Sequence, residues 1–380
     1  MLSMSLSPQE RDILALLRAR PTLDAAALAR ALGSTKGAVA VALSRLTAKG
    51  EIVGRGYVLR ERPTAVVFGG ANWDIKARSL ESAVAGTSNP AVIARTPGGV
   101  GRNIAENLAR LGQQVELVAA VGADEAGSEL VSRSVEAGVG TGYVVTSPHP
   151  TGTYLAALDV DGELVIGLSD MAATDTLEVA GIARARDLLV RAQVAVVDGN
   201  LPAAVVEWVL EEARTAGVRV VLDPVSVAKA ARLAPVLAAG RPVSAVKPNV
   251  DELGALTGHE VADSPRAIVA AARALRDRGV DTVWVSRGAR GSLLVGPDGV
   301  LETPTTPAHV EDVTGAGDAM TAGFVHGLLR GEPLAECVRF GHAAAALTVA
   351  SSHTVRPDLG VAFGKAVGAS VQAHHEGDRP

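Results

Sequence analysis

Aromatic residues are scarce in this chain: three Trp, three Tyr and four Phe among 380 positions. Its core must therefore be built from Ala, Val and Leu, a composition that suits Val-rich parallel strands covered by Ala/Leu helices. Cysteine is nearly absent. The single Cys337 rules out an intrachain disulfide and falls in an apolar helical pattern, where a small core residue is expected. No apolar run is long enough to span a membrane and no secretory leader opens the chain, so a soluble, cytoplasmic protein is expected. A Gly-Lys-Ser/Thr phosphate loop is missing, which removes the P-loop route to nucleotide chemistry. The histidines, among them His149, His309, His326, His342 and His353, lack metal-ligand spacing, and His374-His375 lie near the end.

What is present is ordinary globular material, 48% hydrophobic and 20% charged. The length suggests two or three domains. The net charge of −5 hides an asymmetry: residues 1–60 carry nine Lys/Arg against four Asp/Glu, the rest 27 against 37. A small basic head on an acidic body suggests that the head alone meets a polyanion.

The head, residues 1–61, reads as three helices and a hairpin. SPQERDILALLRARP has Ser7 as N-cap, Pro8 at the first helical position and Glu10 closing a capping box. LDAAALARALG is a second helix stopped by Gly33, and STKGAVAVALSRLTAKG a third with Ser34 as its cap. EIVGRGYVLRE then alternates around Gly54-Arg55-Gly56. This arrangement resembles a winged helix-turn-helix. In that reading the third helix offers Thr35, Lys36, Ser44 and Arg45 to DNA, and Arg55 sits on the wing. A dimerisation module of the same shape is the alternative.

Beyond Pro63 the pattern changes. Apolar strands recur at TAVVFGGANWDI, VELVAAVG, VAVVDGN, VRVVLDP, VSAVKPN and TVWVSRG, with helical segments between several of them. That alternation is the signature of an α/β fold with a mostly parallel sheet. Residues 75–96 and 151–170 break it and read as antiparallel strands, the second, within a segment of about 141–170, with an Asp161-Gly162 turn. Polar groups cluster where the apolar strands end, as ligand sites do in such sheets: Asn72 and Asp74, Asn200, Asp223, Lys247 and Asn249. Residues 366–380 are polar and are expected to fray.

The most informative stretch is DVTGAGDAMTAGF, Asp312 to Phe324. A Gly-Ala-Gly turn opens into a helix, so free N–H groups of Gly315, Ala316 and Gly317 converge on one spot and favour an anion. Asp318 stands in the first turn beside that hole. The pairing makes sense if a hydroxyl loses its proton to Asp318 while it attacks a phosphoryl group held by the N–H groups. A first-turn acid that merely complements the helix dipole is the alternative. A second glycine turn feeds a helix in TPGGVGRNIAENLARLG, Thr96 to Gly112.

Together these two stretches resemble the signatures of the ribokinase-like (PfkB) sugar and nucleoside kinases, over roughly residues 64 to 360. The resemblance implies a ribokinase-like kinase domain at 62–365, a small β lid over the acceptor, ATP as co-substrate and Mg²⁺ as cofactor. It assigns the acceptor to Asn72, Asp74, Gly98, Gly99, Asn103, Asp170 and Asn200. It assigns ATP to Lys247, Asn249, Ser286, Gly288, Gly291, Thr314, Gly315 and Gly317, with an arginine of SRGARG, Arg287 or Arg290, as added charge. The Asn249-x-x-Glu252 unit resembles the motif that holds magnesium through water, although the same spacing also makes a capping box. Asp312 resembles an acid near a monovalent-cation site in some relatives, which raises potassium as a second cofactor. Within the family, GGANWDI, GLSDM at 167–171, DPVS at 223–226 and DVTGAGDAM resemble the pseudouridine kinases, and Val100-Gly101-Arg102-Asn103 departs from the Lys-Gly-Ala-Asn run of ribokinases. Another nucleoside, ribose or 2-keto-3-deoxygluconate as acceptor, or a transcription regulator that uses the kinase fold as a sensor, remain the alternatives. A homodimer is expected, since lids and winged helices both tend to pair.

Overall fold

The apolar runs become one eight-stranded sheet. Its strands are β1 (Ala65–Phe68), β4 (Val115–Val118), β9 (Val194–Asp198), β10 (Arg219–Asp223), β11 (Val243–Val246), β12 (Val280–Ser286), β13 (Ser292–Gly296) and β14 (Gly299–Thr303). They lie in the order β14-β13-β12-β11-β10-β9-β1-β4, parallel from β12 through β4, with the last two strands antiparallel at one edge. Side chains of a strand alternate between faces, and here both faces are apolar. Val66, Phe68, Ala195 and Val197 join one core cluster, while Ala65, Val67, Val194 and Val196 join the other. The first cluster receives the helices Ala203–Ala216 and Pro265–Arg276; the second receives Val100–Arg110, Ala316–Arg330 and Leu334–Val349. Burial on both sides explains why these strands read as continuous Val runs rather than alternating ones. Cys337 lies in the second cluster, and burial pushes its thiol up to about 12, so it behaves as a small apolar group.

The chain divides into two units, residues 1–62 and 63–380. The computed structural model describes residues 6–20, 23–52, 65–238 and 241–377. In the head, helices Pro8–Ala19, Ala25–Ala31 and Lys36–Ala48 enclose Ile13, Leu17, Leu28, Val39 and Leu46. The Ser7–Glu10 capping box forms, and Glu10 also pairs with Lys49 at 2.8 Å. The third helix is capped by Thr35, not Ser34: Thr35 Oγ1 accepts the Ala38 N–H, and Ser34 Oγ instead accepts from Gln9. The expected hairpin and Arg55 lie outside the described residues.

The lid joins two antiparallel segments. It is a four-stranded sheet, β3-β2-β7-β8, from β2 (Asn72–Ser79), β3 (Ala91–Gly98), β7 (Gly152–Leu158) and β8 (Leu164–Asp170), and its central pair β2/β7 is parallel. The second segment enters the lid at Gly152 rather than 141. The residues before it form β6 (Val145–Ser147), which pairs instead with β5 (Ala120–Gly122). The lid is rooted by Trp73, buried beneath the Arg95 guanidinium, with its ring N–H donated to the Ala126 carbonyl at 2.8 Å. The end of the chain also departs from expectation. A helix runs Leu359–Gly377 into the stretch expected to fray, and its first turns dock through Leu359 and Phe363 on Phe340 and Leu111.

Candidate active site

The carboxyl ends of β1, β9, β10 and β11 face the glycine turns and the amino end of helix Ala316–Arg330. Backbone geometry makes the approach possible. Gly99 has φ +93°, and a Cβ there would strike the Gly70 carbonyl. Gly98 lies directly against the Asp74 carboxylate, so any side chain would displace that acid. Beneath both turns sits Asp198, fully buried. Its Oδ2 accepts the N–H groups of Gly70 (2.9 Å) and Gly101 (2.7 Å), and its Oδ1 accepts that of Asn200 (2.9 Å). Burial raises the Asp198 carboxyl even against these donors. This clamp was not anticipated. The available signal was an acid closing an all-apolar strand, where a charge is costly unless hydrogen-bonded.

On the acceptor side, Asn72 Nδ2 donates to Asp74 Oδ1 at 2.8 Å, and burial raises the Asp74 carboxyl. Asn103 is oriented by Arg102, which donates to its Oδ1 at 2.7 Å, and in turn donates from Nδ2 to Asp318 Oδ2 at 2.8 Å. Asp318 retains a partial opening to solvent while protein surrounds the rest of it. Its carboxyl is pushed up to about 8, chiefly by desolvation, which the Asn103 hydrogen bond and the Lys247 charge only partly offset while Asp223 and Asp198 add repulsion. A carboxylate with that affinity for a proton is suited to act as a base near neutral pH.

The hole is assembled next to it. Gly315 caps the helix at φ +81°, and a Cβ there would strike the Thr354 carbonyl. The N–H groups of Gly315, Gly317 and Asp318 have no protein acceptor among the described residues. Ala316, expected to contribute, differs: its N–H reaches the Val313 carbonyl at 3.3 Å, because the turn before the helix tightens there. Lys247 brings its ammonium beside Gly317 and pairs with Asp223 Oδ2 at 3.2 Å. Burial alone would lower this ammonium, but the Asp223 and Glu252 carboxylates, the Asp223 hydrogen bond and Asp318 carry it above the usual lysine value. Thr321 Oγ1 also donates to Asp223, at 2.9 Å.

On the far side of the hole lies a mostly apolar cavity of about 510 Å³. Ser286, Gly288 and Gly291 line one wall, Ala316 and Gly317 its floor, and Thr305–Val313 with His342–Val349 the rest. Ser286 is tied to the Lys247–Asn249 segment by a bridge to Asn249 and its N–H to the Pro248 carbonyl at 2.9 Å. The candidate nucleotide residues thus converge. Arg287 and Arg290 do not join them: both pair with Asp263, and Arg287 also with Glu302, so neither is free for phosphate.

Asn249 and Glu252 make a full capping box, at 2.9 and 2.8 Å. Burial raises the Glu252 carboxyl, and its Oε1 has no protein partner among the described residues. Mg²⁺ asks for one or two carboxylates plus water and phosphate oxygens, so these two residues fit an outer role toward it; no cluster of three acids, His or Cys exists among the described residues. Potassium does not fit at Asp312, because the Lys76 ammonium already sits on it at 2.8 Å.

Of the remaining acceptor candidates, Asn200 stays beside the glycine turns and Asp170 does not. Asn200 stands against Gly70 and accepts from Lys229, a partner the sequence reading missed. Asp170 is opposite Thr153, whereas Asp74 is opposite Tyr154 and Ser169 lies across from that. Alternation therefore turns the exposed Asp170 to the other face of the lid, where it caps Ala172. Near Asn200, Val225 has φ +72°, the one non-glycine residue in the left-handed region among those described, held by Asp223 Oδ1. Strain at a β-branched residue persists where surrounding contacts over-determine it and is concentrated at functional sites.

Residues 62–359 match the family described as pfkB family carbohydrate kinase. The chain belongs to the pfkB family of carbohydrate kinases. This kinase is 36% identical over 309 residues to a pseudouridine kinase of Escherichia coli K12, covering 80% of the chain and 96% of that protein. It is 34% identical over 354 residues to an uncharacterized sugar kinase of the same organism, covering 92% and 96%. A carbohydrate kinase structure from Agrobacterium tumefaciens superposes with a TM-score of 0.69 at 31% identity, covering 80% of this chain and 96% of that one. An Arabidopsis thaliana ribokinase solved with ribose and ATP gives 0.69 at 25%, covering 80% and 99%. Residues 6–53 match a winged helix-turn-helix DNA-binding family. The chain is therefore a phosphotransferase with an alcohol acceptor, preceded by a winged helix-turn-helix head.

Proposed function

We propose that the kinase transfers the γ-phosphoryl group of ATP to the 5′-hydroxyl of pseudouridine. The observation that carries the chemistry is the Asn103–Asp318 pair at the mouth of the N–H hole. Asp318 accepts the hydroxyl proton, and the oxygen attacks the γ-phosphorus in line. Gly315 and Gly317 N–H groups, with Lys247 beside them, hold the charge on the phosphoryl oxygens. Asn72, Asp74, Gly98 and Gly99 grip the sugar hydroxyls, with Asn200 beside them, and Ser286, Gly288, Gly291 and Thr314 flank the ATP phosphates. Asn249 and Glu252 would hold magnesium through water, and the metal would neutralise phosphate charge.

The pseudouridine assignment is supported by the 36% relative and by Val100-Gly101-Arg102-Asn103 in place of the ribokinase run. Lys36, Ser44 and Arg45 are exposed on the third helix and support DNA binding by the head; Thr35 is engaged as its cap. Homodimerisation is supported by the lid face opposite Asp74, where register places Ile93, Ala77, Ala157 and Ile166 in one row and Ile75, Leu155 and Leu168 in the next. Ile93 is 68% exposed and Leu168 55%, the kind of patch that pairs. An ATP-consuming reaction of this type belongs in the cytoplasm.

The test is ADP release with Mg·ATP against pseudouridine, uridine, inosine, ribose and 2-keto-3-deoxygluconate. A strong preference for pseudouridine is expected. Preference for another acceptor overturns the substrate while leaving Asp318 in place. No turnover with any of them, together with ligand-dependent DNA binding, makes a regulator that senses through the kinase fold the better reading.

A further inference from the structure

Lys76 lies two residues beyond Asp74 on β2, on the same face of the lid. Its ammonium donates to Asp312 Oδ2 at 2.8 Å and to Thr314 Oγ1 at 2.9 Å. Asp312 uses its other oxygen on the Thr314 N–H, at 2.8 Å. A carboxylate and a hydroxyl of the loop leading into the hole thus converge on a cation carried by the lid. Thr314 immediately precedes Gly315, whose left-handed turn presents the N–H groups. Partial burial alone would raise the Asp312 carboxyl, but the Lys76 and Thr314 hydrogen bonds hold it below the usual aspartate value. The Lys76 and Asp312 side chains remain 36% and 29% exposed, so water reaches the contact.

We propose that Lys76 is a positioning residue: a tethered cation on the lid that takes the place of a potassium ion at Asp312 and Thr314 and fixes the loop that forms the phosphoryl hole. A potassium ion on the same oxygens would meet the ammonium at close range, where like charges repel. Lid closure over the acceptor and completion of the hole then become one event. This inference rests on the kinase reading of the site.

The experiment compares the full chain with Lys76→Met and Lys76→Arg, in buffers of constant ionic strength holding potassium or tetramethylammonium. It reads kcat, both KM values, and Mg·ATP affinity by calorimetry, with melting curves to establish folding. Wild type should be indifferent to potassium. Lys76→Met should lose about tenfold or more in kcat, regain part of it in potassium and show potassium-dependent ATP affinity, while Lys76→Arg keeps most of the activity. A wild type activated about tenfold by potassium overturns the proposal, as does a Lys76→Met enzyme equal to wild type. A folded Lys76→Met enzyme that potassium does not rescue, with Lys76→Arg equally impaired, also overturns it. Should wild type phosphorylate none of the acceptors, the kinase reading fails, and the calorimetric arm still decides the role of Lys76.

Discussion

Replacing Asp318 with Asn should damage catalysis and strengthen the fold at once. In the proposed reaction the carboxylate accepts the proton of the attacking hydroxyl, and a positioned general base contributes roughly 10²–10⁴ in rate, or about 3–5 kcal/mol of barrier. Asn cannot accept that proton, yet its amide oxygen can still take the Asn103 hydrogen bond, so acceptor and ATP binding should change little. Stability moves the other way. The folded carboxyl sits at about 8 against an ordinary 3.8, mainly through desolvation. Below the ordinary value both folded and unfolded chains carry the neutral acid. Between it and about 8 the unfolded chain is ionised while the folded one holds its proton, so stability falls steadily with rising pH; above 8 the loss is complete. Asn carries no such cost. Asp318→Asn should therefore melt higher than wild type, with a gain that grows from pH 5 to pH 8 and reaches ~2–5 kcal/mol, the lower end allowing for the solvent contact Asp318 retains. The assays are steady-state ADP release, calorimetric binding of both substrates, and melting at several pH values. Turnover within a few-fold of wild type, or a variant less stable across the whole range, would refute the assignment of a strained base.

The same carboxyl sets a pH profile: kcat/KM for the acceptor should rise tenfold per pH unit below about 8 and level above it, and a flat profile from pH 6 to 9 would count against Asp318. Gly98→Ala drives a Cβ into the Asp74 carboxylate and should raise acceptor KM by about tenfold or more, with ATP affinity by calorimetry unchanged. Lys247→Met leaves Asp223 buried beside Asp318 without its counter-ion and should destabilise the chain by ~3–5 kcal/mol in denaturant titrations. For the head, Lys36→Ala with Arg45→Ala should weaken DNA binding and lower the slope of log affinity on log salt by about one per lost phosphate contact; an unchanged slope would indicate that these residues face no DNA.

Much of the fold was legible because its signals are local. An apolar strand, a glycine that can turn at positive φ and an N-cap are each decided within a few residues, so the parallel sheet, the two glycine turns and the helix behind Asp318 could all be read along the chain. The acid beside an anion hole was legible for the same reason, since Gly315 to Asp318 are consecutive. Contacts across the fold were not. That Asn103 reaches Asp318, that Asp198 clamps Gly70 to Gly101, and that Lys76 sits on Asp312 depend on chain segments brought together from 97 to 236 positions apart. Tertiary structure also overruled plausible local readings. Asp170 looked like a sugar ligand until strand register turned it to the other face. Arg287 and Arg290 look free along the chain, but Asp263 pairs with both, and the helix docked through Phe363 on Phe340 continues into the polar end. The sequence alone determined which groups can do phosphoryl-transfer chemistry, since that rests on residue type and local backbone. Only the packed structure decided their charge states and partners, because desolvation and pairing depend on what the rest of the chain places around each group.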